Sequence, residues 1–156
     1  MNTEHHKEIA QKILAYCGEE VLAVETTIRS DLGVTLINFR LTDGKKFIYN
    51  QGEALRAFNT VIRSIVEKNV GTLKETAWLI DINNFYFHYI EDIQQGTRHI
   101  IEKVKKTGKP HDLPPQNPFD RRIVHHTVQS DGHVISTSEG EGFERHIVIS
   151  LKESGE

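Results

Sequence analysis

Arg121 and His125 stand four residues apart in Arg121-Arg122-Ile123-Val124-His125-His126, so a helix sets a guanidinium and an imidazole one turn apart on the same face. A guanidinium makes forked hydrogen bonds to phosphate oxygens, and an imidazole donates a hydrogen bond or stacks on a base. The pair therefore suits a nucleic-acid backbone. Downstream, Ser138-Glu139-Gly140-Glu141-Gly142-Phe143-Glu144-Arg145 supplies a loop with two glycines, Gly140 and Gly142, and a further cation, Arg145. A structural reading stands beside the functional one, because Asp120, Glu139 or Glu144 can pair with Arg121 or His125 and simply fix the loop. Spacing alone leaves both open, and the carboxylates of Glu139 and Glu141 oppose a phosphate lying directly on the loop.

The elements that must hold these residues are legible around them. Asn117 is a favoured N-cap and Pro118 a favoured first helical residue, which predicts a helix from Pro118 to about Val128. Phe119, Ile123, Val124 and Thr127 share one arc of that helix, and Arg121, Arg122, His125 and His126 fill the other. Val134 to Thr137 and His146 to Leu151 are strand-like runs on either side of the glycine loop. Phe85 to Thr107 reads as a long helix ended by Gly108, with Tyr86, Phe87 and Tyr89 serving either the core or base stacking. The connection Lys109 to Pro115 is proline-rich, with room for one short strand.

The segments Pro114 to His125 and Thr137 to Arg145 closely resemble the R-three-H domain, which is named for its Arg-x-x-x-His core. The resemblance reaches back through Thr107-Gly108-Lys109-Pro110 and the helix before it. In bacterial proteins of the Jag type, the partners of a sporulation-stage-III-J membrane insertase, such a domain follows a KH domain. The resemblance implies binding of single-stranded RNA, with Arg121 and Arg122 on phosphates, His125 ordering the site and Arg145 contributing from the loop. Single-stranded DNA suits the same chemistry. The family context also implies a second role, as a protein adaptor at the ribosome or the membrane insertase with little direct RNA contact.

The first half is read as helix (Thr3 to Tyr16), strand (Val21 to Ile28), strand (Val34 to Leu41), helix (Glu53 to Lys68) and strand (Thr76 to Ile82). Phe47-Ile48-Tyr49-Asn50-Gln51-Gly52-Glu53-Ala54-Leu55 resembles the Gly-x-x-Gly loop and following helix of a bacterial KH domain. Tyr49 stands where the first glycine would be, Asn50 and Gln51 are neutral, and Gly52 remains, with Lys45 and Lys46 close by to supply charge. The fold class expected is α+β. A type II KH-like domain, with helices on a three-stranded sheet, occupies residues 1–83. An R-three-H domain, with helices on a short, mainly antiparallel sheet, occupies residues 84–156, and no counterpart of the family's extra amino-terminal domain is expected.

Bulk properties narrow the function classes. With 156 residues and a net charge of -3, the chain has no global positive field, so phosphate binding must be local. Cys17 is the single cysteine, which excludes an internal disulfide framework and a thiolate zinc site built from this chain alone. Among nine histidines there is no His-x-His or His-x-x-x-His pair, so no metal or other cofactor is expected; His5-His6 reads as a solvated start. Neither a Gly-x-Ser-x-Gly elbow nor a phosphate-binding Gly-x-x-x-x-Gly-Lys-Ser/Thr motif is present, and the expected role is non-catalytic. No apolar run approaches the roughly 20 residues that cross a bilayer, which predicts a cytoplasmic protein without membrane insertion.

Overall fold

The computed structural model describes residues 4–70 and 77–152. In chain order they form α1 (Glu4–Tyr16), β1 (Val21–Arg29), β2 (Val34–Leu41), α2 (Lys45–Val70), β3 (Ala77–Ile82), α3 (Phe85–Thr107), β4 (His111–Asp112), α4 (Pro118–Gln129), β5 (Val134–Glu139) and β6 (His146–Leu151), with a 3-10 turn at Gly142–Glu144 between the last two strands. The chain is thus a mixed α+β protein. It divides into two compact units, the first ending at His88 and the second beginning at Tyr89.

In the first unit the sheet order is β1-β2-β3, with β1 antiparallel to β2 and β2 parallel to β3. The central strand carries the core: Leu36, Ile37 and Phe39 are buried, as are Ala10 and Leu14 of α1 and Leu55, Phe58, Ile62 and Val66 of α2. Those α2 positions recur every three or four residues, which is why the helix lies with one face inward. At the other end of α1, Gly18 adopts φ 76°, and the amides of Gly18 and Glu19 reach back to the carbonyls of Ala15 and Leu14. Such a left-handed glycine ends the helix while satisfying its last carbonyls. The expected cap Thr3 and the strand start Thr76 lie outside the described residues.

Two side chains tie the sheet to its helices. Asn59 of α2 accepts from the Ile80 amide at 2.8 Å and donates to the Ile80 carbonyl at 2.9 Å, completing the open edge of β3. The fully buried Asp81 accepts from the amides of Tyr86 and Phe87 at 2.8 and 3.1 Å, holding the first turn of α3. Tyr86 is itself buried, so one of the aromatics at the start of α3 goes to the core. The expectation of a solvated His5-His6 start is corrected for His6. That side chain is only 3% exposed, and its ring lies edge-on to Trp78 with centroids 4.5 Å apart. Trp78 attracts it because a large aromatic on a sheet needs apolar cover, and an imidazole supplies it when neutral. Burial accordingly pushes the His6 pKa down.

In the second unit β4, β6 and β5 form an antiparallel sheet with β6 in the centre. Its core joins Ile101 and Val104 of α3, Val124 and Val128 of α4, Val134 of β5, and Ile147 and Ile149 of β6. Burying each such side chain contributes about 1.5 to 3 kcal/mol, so this cluster fixes α4 against the hairpin of β5 and β6. Lys105 and Asp131 add an ion pair at 2.5 Å between α3 and the turn after α4.

Candidate nucleic-acid interface

The first turn of α4 is built by its cap. Asn117 Oδ1 accepts from the amides of Phe119 at 2.9 Å and Asp120 at 3.0 Å, and its amide group donates to Asp120 Oδ2 at 2.7 Å. Pro118 follows as the first helical residue, where its missing N–H removes nothing the helix needs. Tyr89 donates its hydroxyl hydrogen to the same Asp120 carboxylate, at 2.9 Å from Oδ1. Asp120 is thereby engaged on the helix start. Beyond the cap, Ile123, Val124, Thr127 and Val128 are buried, whereas Arg122 and His126 are exposed and Arg121 and His125 half-buried.

The half-buried pair is aimed by backbone and by the strand beside it. Arg121 Nη1 donates to the Gln116 carbonyl at 2.5 Å, and His125 Nδ1 sits 2.7 Å from Ser136 Oγ. Arg145, just after the 3-10 turn, donates from Nε to Ser138 Oγ at 2.8 Å. Ser136 and Ser138 are two apart on β5 and share its partly buried face, since alternate strand residues point the same way. One strand thus holds the histidine and the arginine through two serines. Neither serine stands out as a site residue in the sequence; the signal is the pair of hydroxyls on the half of the strand pattern that Val134 marks as inward.

Arg121, Arg122 and Arg145 form no ion pair among the described residues, and Glu139, Glu141 and Glu144 stay exposed without reaching them. Burial first, then the positive charges of Arg121, His126 and Arg145, holds the His125 pKa below its ordinary value, so the imidazole is neutral at pH 7. The reading in which acidic neighbours neutralise the pair does not describe this arrangement.

Gly140 and Gly142 shape the loop that carries Arg145. Gly140 has φ 77°, and a Cβ there would lie 2.7 Å from the Glu144 carbonyl oxygen, so the chain folds back on itself only because the position is glycine. Between the glycines and Arg145, Phe143 is 99% exposed.

The segment at Lys45 to Gly52 has a different construction. The helix is interrupted at Tyr49–Gly52, where Asn50, Gln51 and Gly52 take left-handed conformations (φ 50°, 56° and 73°). Gly52 is required twice over, because its φ is positive and a Cβ would meet the Phe85 ring at 2.5 Å. Lys46 is already committed: its Nζ lies 2.7 Å from Glu19 and donates at 2.7 Å to the Cys17 carbonyl at the end of α1. Its pKa is raised by the hydrogen bond to Glu19. Lys45 is exposed, and Tyr49, 80% exposed, lines an open groove of about 480 Å³ with Lys46, Asn50, Glu53, Ala54 and Ala57. The candidates therefore fall into two groups. Arg121, Arg122, His125, Gly140, Gly142 and Arg145 belong to the second unit, and Lys45, Lys46 and Gly52 to the first.

Comparison with known families matches residues 91–151 to the R-three-H domain. The second unit carries an R-three-H domain. The match takes in α3 from Glu91, the capped helix α4, the glycine loop and β6. A Clostridium symbiosum protein named RNA-binding protein KhpB is 30% identical over 116 residues, 74% of this chain and 51% of that protein. A Bacillus subtilis protein of the same name is 28% identical over 137 residues, 85% of this chain and 65% of that protein. A third, from Streptococcus pneumoniae, is 22% identical over 150 residues, 94% of this chain and 45% of that protein. The chain spans about half to two thirds of the length of these relatives.

Chemically, the R-three-H domain offers guanidinium N–H groups with unused donor capacity, beside a neutral imidazole whose Nε2 has no hydrogen-bond partner among the described residues. It can bind an anion. Among the described residues no three His, Cys, Asp or Glu side chains gather to hold a metal ion, and no helix is long and apolar enough to cross a membrane.

Proposed function

We propose that this protein binds single-stranded RNA and does no chemistry on it. Arg121, Arg122 and Arg145 hold phosphates, His125 orders the site, and the turn at Gly140 and Gly142 sets the approach of the strand. The observation that carries the reading is the set of three arginines with no carboxylate partner among the described residues, two of them locked in direction by Gln116 and Ser138. In a chain of net charge -3 such a patch gives local attraction to a polyanion without indiscriminate condensation. The relatives named as RNA-binding proteins support the same class of ligand.

The first unit is read as a type II KH-like domain at residues 1–83, preceding an R-three-H domain at 84–156. Its support is the order helix, strand, strand, helix, turn, helix, strand, with the turn at Tyr49–Gly52 in the place of a Gly-x-x-Gly loop. With Lys46 paired to Glu19 and Tyr49 at the first glycine position, that loop contributes less to phosphate binding than the R-three-H face, and the exposed Lys45 is the lysine it has left to offer. A cytoplasmic setting, where RNA is found, accompanies this function.

Competition binding tests it. A labelled single-stranded RNA is displaced by unlabelled single-stranded RNA, by single-stranded DNA and by duplex RNA in parallel, with the unaltered chain and with Arg121→Ala/Arg122→Ala. Binding is expected to favour single strands and to weaken in the double variant while its thermal unfolding stays close to that of the parent. Equal affinity of parent and double variant would refute the assignment of the site.

A further inference from the structure

Phe143 is the largest side chain on the glycine loop, and it stands almost wholly in water at 99% exposure. A phenylalanine left in solvent forgoes the burial that ordinarily places this residue inside a protein. The loop around it is nevertheless built, not slack. Glu144 N donates to the Glu141 carbonyl at 3.1 Å, and the Gln116 amide donates to the Arg145 carbonyl at 3.1 Å. His146 Nδ1 lies 2.9 Å from the Glu144 carbonyl, and the close approach of Gly140 to that same carbonyl pins the base of the turn. The backbone on both sides of the ring is fixed, so the ring is presented outward at little further ordering cost.

Charge decides what can sit there. Glu139, Glu141 and Glu144 are exposed along the same loop, which disfavours a phosphate at the tip. Arg145 follows two residues later, at most about 7 Å along the backbone, with its direction set by Ser138. An uncharged flat group on the ring with its phosphate on Arg145 satisfies both signs, on the scale of a single nucleotide. We propose that Phe143 is the stacking platform for an unpaired base of the strand whose phosphate Arg145 holds. This rests on the RNA-binding reading and adds to it a contact with the base, which the arginines do not supply. Stacking accepts every base, so the platform confers preference for unpaired over paired nucleotides and little discrimination among bases.

The test compares two ligands of equal charge: an adenosine oligonucleotide of about ten units and an abasic chain of the same length. The full chain, Phe143→Ala and Phe143→Trp are titrated against both. Phe143→Ala is expected to lose about tenfold in affinity for the adenosine oligonucleotide and little for the abasic chain, with an unchanged salt dependence, and Phe143→Trp to restore the loss. Equal binding of the oligonucleotide by the parent and Phe143→Ala, or an equal loss on both ligands, overturns the platform while leaving the arginine site standing. Failure of the unaltered chain to bind either ligand overturns the RNA-binding reading and the platform with it.

Discussion

His125 Nδ1 lies 2.7 Å from Ser136 Oγ, joining α4 to β5 at the point where Arg121 and Arg145 crowd the imidazole with positive charge. Burial first, and then those charges, keep the ring neutral, with a pKa below the ordinary 6.5 that it regains on unfolding. Between those two values the unfolded chain binds more protons than the folded one, so this group's contribution to stability is lost as pH falls below 6.5. His6, lowered by burial against Trp78, acts in the same direction. Thermal melts from about pH 7.5 down to about pH 5.5 should show a falling Tm, and His125→Ala should flatten that dependence in part. A bound phosphate reverses the local sign by stabilising the imidazolium, so RNA affinity measured over the same range should rise as the solution becomes more acidic. Affinity independent of pH, or the same pH dependence in His125→Ala, would argue against a phosphate beside the ring.

Asn117 carries the start of α4 through two amide hydrogen bonds and its contact to Asp120. Asn117→Ala should lower stability by about 1 kcal/mol, or roughly 4 to 8 °C in Tm for a unit of this size. Because Arg121 projects from the turn that this cap organises, the same variant should bind RNA more weakly than its stability change alone predicts. Chemical denaturation alongside a binding titration separates the two effects.

Three glycines should respond differently to alanine. At Gly52 a Cβ meets the Phe85 ring at 2.5 Å on a backbone with φ 73°, and the expected loss is about 2 to 4 kcal/mol. At Gly140 the obstacle is the Glu144 carbonyl at 2.7 Å, so the loop must open, and RNA binding should fall together with stability. At Gly142 nothing lies within 4 Å, leaving only the positive φ of 52° and a loss nearer about 1 kcal/mol. Urea denaturation of the three variants gives the order directly.

Local signals make much of this architecture readable in the sequence. Asn117-Pro118 marks the start of α4, Gly108 the end of α3, and short runs rich in apolar and β-branched residues mark β2 and β6, because caps, breakers and strand propensity act within a few residues. What escapes depends on contacts distant in sequence. His6 reads as solvated because Trp78, which covers it, lies far along the chain. Lys46 reads as a free cation because Glu19 reaches it only after α1 and α2 have packed. The interruption at Tyr49–Gly52 is legible as a loop, but the helical turn before it is not, since Lys45 to Ile48 is too short to show a period. Ser136 and Ser138 are hidden for a related reason: a serine on the inward face of a strand announces a polar partner without naming it.

The salt dependence of RNA binding addresses the arginine grip most directly. Each phosphate held on a single strand contributes about -0.7 to the slope of log affinity against log salt, so three arginines correspond to a slope of about -2 in their contribution. The unaltered chain and the triple variant Arg121→Ala/Arg122→Ala/Arg145→Ala are titrated with single-stranded RNA across a salt series. The account predicts that the triple variant binds more weakly and that its slope is shallower by about 2. Identical slopes for the two proteins would place the phosphates elsewhere and contradict it.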